Sequence, residues 1–188
     1  MTRPSRDTRH CPPLVVRLRR PWHIVGVVAS TFFLRAEQFV PVDLETTFAF
    51  FAEAGNLQRL TPPWLDFTIT SRLPVDMRDG ALIDYTLKVH GIPIRWQSVI
   101  SEWNPPHRFV DEQVRGPYRR WRHVHRFTPK PGGTQVEDDV QYQVPGGALA
   151  NLLVRRDLRQ IFGFRQRALV EALAIAVPGP ASLAFGTV

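Results

Sequence analysis

The sequence predicts an α+β domain, a curved antiparallel sheet of seven strands wrapped around one long C-terminal helix. Three observations predict it. Segments that alternate apolar and polar residues follow one another from residue 67 to residue 144 with only turns between them. One apolar stripe at three-four spacing then runs for about 27 residues, a helix near 40 Å long. Nothing in between alternates strand with helix, as a parallel sheet would require.

The first strand is Thr31 to Val40. Pro41-Val42-Asp43 starts a helix, with Asp43 as N-cap and Glu45 at its positive end. Leu44, Phe48, Phe51 and Ala52 form its core-facing stripe, and Gly55-Asn56 ends it. A second short helix is expected over Leu57 to Leu60, before the loop Thr61-Pro62-Pro63-Trp64. Strands follow at Phe67–Leu73, Leu82–His90, Ile92–Trp103, Arg108–Arg115, Tyr118–Thr128 and Thr134–Val144. Their turns are marked by Asp79-Gly80, His90-Gly91, Asn104-Pro105-Pro106, Gly116-Pro117 and Gly132-Gly133. The long helix opens at Pro145-Gly146-Gly147, carries Leu149, Leu152, Leu153, Leu158, Ile161, Phe162, Ala168 and Leu169 on its apolar face, and stops before Pro178-Gly179-Pro180. The expected organisation is a basic extension over 1–30, one domain over 31–175, and a flexible tail over 176–188.

The formal net charge of +7 is unevenly spread. Residues 1–30 hold six arginines against one acid, Asp7. The remainder holds 18 basic and 16 acidic groups, a nearly balanced body without the concentrated basic face of a nucleic-acid binder. Ile24 to Leu34 follows Arg17, Arg19 and Arg20 as an h-region follows an n-region in a signal or transit peptide. It is too short to span a bilayer, and its second half reads equally well as the first strand. A disordered extension and a cytoplasmic protein are the preferred expectation, with no stable membrane insertion. The single cysteine, Cys11, excludes an internal disulfide.

The chemistry concentrates in Tyr118 to Phe127. Side chains alternate across a strand, so Trp121, His123, His125 and Phe127 share one face while Arg120, Arg122 and Arg126 share the other. The arginine face suits water and acids such as Glu112, Glu137 and Asp139. The aromatic and imidazole face suits a lined cavity better than a dry core. The Gly132-Gly133 turn pairs this strand with the next. Keeping both apolar faces together sets Phe127 opposite Val136, His125 opposite Asp138, His123 opposite Val140 and Trp121 opposite Tyr142. Asp111 and Gln113, alternating together on the preceding strand, can join that face.

Five blocks in order carry a resemblance: Asn56-Leu57-Gln58-Arg59-Leu60-Thr61-Pro62-Pro63-Trp64-Leu65; Gly91-Ile92-Pro93-Ile94-Arg95-Trp96; Phe109-Val110-Asp111-Glu112-Gln113; Gly116-Pro117-Tyr118 with Trp121 to Phe127; and Asp138-Asp139-Val140-Gln141-Tyr142. Over roughly residues 31–174 the chain resembles the START / polyketide-cyclase superfamily (SRPBCC), in particular a bacterial ligand-binding subgroup. The resemblance implies a helix-grip fold with a deep cavity between sheet and helix for hydrophobic ligands. It does not imply one function, because that superfamily includes carriers, receptors and enzymes.

The candidate ligand-binding residues are Trp121, His123, His125, Asp138, Tyr142, Gln113 and Trp96. Three readings of this set stay open. His125–Asp138 is a satisfied buried pair that fixes register and cavity shape. Alternatively, the set recognises a small hydrophobic, lipid or polyketide-like ligand. Or His125, oriented by Asp138, moves a proton in a cyclase or dehydratase. No metal and no cofactor is expected, because His-x-His plus one Asp shows no third strong ligand. A partner protein or a second copy of the chain is a further expected class of partner, through a regulatory or assembly role.

Overall fold

A computed structural model describes residues 30–176 and 178–188. Readings that concern residues 1–29, including the signal-like run and Cys11, lie outside the described residues. The strands are β1 (Phe32–Val40), β2 (Thr68–Ile69), β3 (Leu82–Val89), β4 (Ile92–Asn104), β5 (Arg108–Arg115), β6 (Arg120–Lys130), β7 (Gly133–Gln143) and β8 (Ala181–Thr187). The helices are α1 (Leu44–Ala52) and α2 (Gly147–Ala172). All strands join one antiparallel sheet in the order β2-β3-β4-β5-β6-β7-β1-β8. The helix-grip α+β class is observed, with eight strands instead of the expected seven.

Local chemistry explains the elements that position the site. Asp43 accepts a hydrogen bond from Thr46 N at 2.8 Å and caps α1, as a short acceptor at the N-cap should. Register shifts in β4, between Gln97 and Ser98 and between Ile100 and Glu102, bend the sheet. Phe48 and Phe51 of α1 pack, mostly edge-on, against Phe109 and Phe127 of the sheet in one core cluster, and Leu158 and Phe162 of α2 join Phe32, Leu34 and Tyr142 in a second.

Four expectations need correcting. The helix expected over Leu57–Leu60 is displaced to two single 3₁₀ turns, Ala54–Leu57 and Pro63–Leu65, because Pro62-Pro63 pre-sets the second turn. The strand expected over Phe67–Leu73 contracts to Thr68–Ile69. Leu149, Leu152 and Leu153 are exposed, Leu149 by 79%. The rest of the expected stripe does pack, through Leu158, Phe162, Ala168 and Leu169, with Val154 in place of the three leucines of the first turns.

The fourth correction is the tail. Within the expected flexible tail, Ala181–Thr187 form a strand. β8 pairs with the outer edge of β1 from Phe32↔Thr187 to Gln38↔Ala181. Leu183 and Phe185 pack on the second core cluster, Arg155 and Arg159 of α2 lie over the Phe185 ring, and Gln166 donates to Ser182 O and Glu37 O. Gly186 lies flat against Phe33, where a Cβ has no room. β8 therefore covers an edge that would otherwise offer unpaired backbone groups. Removing residues 178–188 is expected to cost about 2 kcal/mol from the half-buried Leu183 and Phe185 alone. It should also turn a concentration-independent elution volume into one that falls as protein concentration rises. A truncated chain with an unchanged denaturation midpoint and elution would refute this role.

Candidate functional site

The sheet and α2 enclose a cavity of about 220 Å³, which adjoins a second space of about 430 Å³ toward the β3–β4 hairpin. Ile83, Tyr85, Leu87 and Val89 of β3 alternate into the first cavity. Trp96 and Trp121 face it from β4 and β6, perpendicular to each other with centroids 5.5 Å apart, and Tyr85 stacks on Trp96 at 5.8 Å. Ser98 accepts from Trp96 Nε1 at 3.0 Å, so the indole N–H is satisfied without the ligand. Trp64 is half exposed, packs edge-on against Phe164 and borders the second space.

One end of this aromatic wall is polar. The observed β6–β7 register is the expected one, with His125 opposite Asp138 and Trp121 opposite Tyr142. The β5–β6 pairing places Asp111 directly opposite His123. Asp111, His123, His125 and Asp138 then close a ring of four side chains. His125 Nε2 lies 3.1 Å from Asp111 Oδ2, and His123 Nε2 lies 3.1 Å from Asp138 Oδ1. His123 Nδ1 is 3.4 Å from Asp111 Oδ2. His125 Nδ1 is 2.7 Å from Asp138 Oδ1, a close charge contact that is out of line for a hydrogen bond. Arg165 of α2 reaches the other oxygen of Asp138 at 3.5 Å. The two imidazoles lie 3.8 Å apart, His125 stacked on Phe109 and His123 edge-on to Phe162.

The ring is polarised. Burial alone would raise Asp138, but Arg165, the bond from His123 and the close contact with His125 hold its carboxyl well below the usual range. Asp111 is likewise lowered, against burial, by the His125 hydrogen bond and the charge on His123. Burial and the neighbouring charge of His125 push His123 down. Burial opposes a charge on His125, yet it is raised, because its bond to Asp111 and its contact with Asp138 outweigh that burial.

Of the candidate residues, Trp96, Trp121, His123 and His125 line the cavity. Three candidates do not. Asp138 stands behind the imidazoles and supports them from outside the cavity. Gln113 is turned into the β5–β6 turn, donating to Tyr118 O at 2.7 Å and accepting from Tyr118 N at 3.2 Å, because Gly116-Pro117 leaves those backbone groups without partners. Tyr142 is fully buried in the second core cluster against Phe32. Two functional groups were missing from the candidate ligand-binding set. Asp111 was placed on the same face by its alternation with Gln113 but not counted among the candidates, although it and His123 lie symmetrically about the turn residue Pro117. Arg165 could also have been counted, as a cation on the packed face of α2. On the opposite face of β6 the arginines pair as expected, Arg122 with Glu112 at 3.4 Å and Arg126 with Asp139 at 3.9 Å. Among the described residues no helix is long and apolar enough to cross a membrane.

Residues 40–170 match the profile of the family described as polyketide cyclase / dehydrase and lipid transport. No curated protein matches the sequence. Among solved structures, the chain is similar to the nucleoside-diphosphate sugar epimerase from Corynebacterium glutamicum, at 24% identity and TM-score 0.58, covering 74% of this chain but 29% of that one. Similarity to TTHA0849 from Thermus thermophilus is at 21% identity and TM-score 0.58, over 77% of this chain and 99% of the other. The di-domain aromatase/cyclase StfQ from the steffimycin biosynthetic pathway is matched at 16% identity and TM-score 0.57, over 74% of this chain and 50% of that one. At these identities the structural likeness concerns the fold.

Proposed function

Because the chain belongs to the polyketide cyclase / dehydrase and lipid transport family, we propose that it binds one small, flat, largely apolar molecule of polyketide or lipid type in the cavity between sheet and α2. Both roles in that family description require such a molecule to be held away from water. The observation that carries the reading is the layout of the cavity. Tyr85, Trp96 and Trp121 offer ring surface, and Asp111, His123 and His125 stand together at one end. Mostly apolar walls with a few converging polar groups are what orient a ligand with one oxygenated end. Trp121 contributes stacking surface and is only half buried, so its loss is felt by the ligand more than by the core.

Native mass spectrometry of the freshly purified protein tests this. The expected result is one apolar adduct per chain, released on denaturation. In a Trp121→Ala variant its affinity should fall about tenfold or more, the equivalent of about 1.5 kcal/mol of lost aromatic contact. Bare protein from several hosts, together with no adduct after incubation with lipid and polyketide extracts, would sink the proposal. One observation favours a second reading, a cyclase or dehydratase. The imidazoles open onto the cavity, with Asp138 behind them in the place of an orienting carboxylate. Conversion of a poly-β-ketone substrate would favour it over simple binding.

A further inference from the structure

Three potential metal ligands converge on the cavity wall. Asp111 and His123 are directly paired across β5 and β6, and His125 lies two residues further on the same face of β6. One ligand atom from each of Asp111, His123 and His125 falls within 4.8 Å of the other two. Asp111 Oδ2 is 3.4 Å from His123 Nδ1 and 3.1 Å from His125 Nε2. Two ligands at about 2.1 Å from one tetrahedral metal ion lie roughly 3.4 Å apart. The two distances from Asp111 therefore already match those of ligands sharing one ion.

We propose that Asp111, His123 and His125 bind one divalent transition-metal ion whose remaining coordination positions open onto the cavity.

The surrounding groups fit that role. In metal sites the ligating histidine hands its other nitrogen to a carboxylate, which fixes the ring and its tautomer. Here Asp138 Oδ1 does so for His123, 3.1 Å from its Nε2, and the same oxygen stands 2.7 Å from His125 Nδ1 as a charge contact. The nitrogens turned toward Asp111 are the opposite ones in each ring. Arg165 contacts the second oxygen of Asp138, so the supporting carboxylate is itself held in place from α2. His123 Nε2 is hydrogen-bonded to Asp138, whereas its Nδ1 makes no hydrogen bond among the described residues, although it faces a carboxylate oxygen at 3.4 Å. With its Nε2 proton given to Asp138, a neutral His123 turns the Nδ1 lone pair toward the Asp111 oxygen, and a cation between the two satisfies both.

The donor set also restricts the ion. Two imidazoles with one carboxylate suit zinc, iron(II) or cobalt(II), whereas calcium and magnesium prefer all-oxygen sets. Three protein ligands leave at least one position for water or an oxygen of a bound molecule, the pattern of a reactive site and not of a closed structural one. The proposal does not depend on an organic ligand in the cavity, and its test is read without one.

The test uses the full chain, stripped with a chelator and titrated with cobalt(II). The expected result is one cobalt per chain and visible absorption bands of a low-symmetry four- or five-coordinate ion. Proton NMR of the same sample should show two hyperfine-shifted exchangeable imidazole N–H signals, one for each histidine. Excess zinc should remove bands and signals together. The variants Asp111→Asn and His123→Gln should each bind cobalt at least about 100-fold more weakly while melting as folded proteins. The wild-type spectrum decides even if a variant fails to fold. Cobalt that washes off on gel filtration, cobalt bound without the two shifted N–H signals, or undiminished affinity in a folded Asp111→Asn variant would each overturn the site. The last outcome would place the ion on other donors, such as His10, Cys11 and His23.

Discussion

Asp138→Asn is expected to destabilise the protein by about 3 kcal/mol, a large share of the 5–15 kcal/mol that holds a domain together. The carboxylate is the shared partner of three cations or potential cations, His123, His125 and Arg165. Its side chain is 8% exposed and that of Arg165 is 12% exposed, so water replaces little of what is lost. The histidines can shed a proton when their acceptor is removed. The arginine cannot, and it is left as an uncompensated buried charge. This asymmetry sets the expected pattern of a double-mutant cycle. Arg165→Met in the wild-type background should also be costly, because it leaves Asp138 short of one partner. Added to Asp138→Asn, it should be nearly free, and the two single costs should exceed the double by about 1–3 kcal/mol. Urea unfolding at neutral pH measures all four corners. A cost below 1 kcal/mol for Asp138→Asn, or strict additivity with Arg165→Met, would show that the ring does not act as a unit.

The same ring shows how far the sequence could be read. The β6–β7 register was legible because two constraints agreed: Gly132-Gly133 fixes the turn, and only one register keeps Phe127 and Val136 on the inner face together. From that register alone His125 meets Asp138. The sequence did not reveal that His123 would reach diagonally to the same carboxylate, or that Asp111 would close the ring from β5. Those contacts depend on side-chain reach and on the β5–β6 turn, where one strand residue more or less inverts a face. Gln113 illustrates the limit. Its place on the inner face of β5 was readable, yet two unpaired backbone groups of the Gly116-Pro117 turn claim its amide before any ligand can. Tyr142 was read as cavity surface because period two cannot separate a cavity from a core. The β8 segment was hidden by Pro178-Gly179-Pro180, which ends a helix but does not forbid a strand beyond it. Small residues there let the backbone press against Phe33 and Phe39.

Leu87→Trp is expected to remove ligand binding almost completely while leaving the fold intact. Leu87 alternates with Ile83, Tyr85 and Val89 into the cavity and stands opposite Ile94 in the neighbouring strand. Enlarging a side chain in a filled core costs about 1–3 kcal/mol, since neighbours must move. Here the added ring extends into about 220 Å³ of open space, so stability should change by less than about 1 kcal/mol and can rise through new apolar contact. The space it takes is the space a ligand needs, and an indole against Trp96 and Trp121 imitates the flat molecule proposed to sit there. The naphthalene dye 1-anilinonaphthalene-8-sulfonate serves as a probe for this. Wild-type protein should bind it saturably at one site and quench tryptophan fluorescence, whereas Leu87→Trp should bind at least about tenfold more weakly, a loss of about 1.4 kcal/mol or more. Ile92→Trp, in the same hairpin but 66% exposed, adds the same chemistry outside the cavity and should bind like the wild type. Blocking should act on the dye and on any copurified molecule alike, because both need the same volume. If Leu87→Trp keeps its affinity for both within twofold, the molecule is held elsewhere, and the exposed Leu149, Leu152 and Leu153 face of α2 becomes the surface to probe.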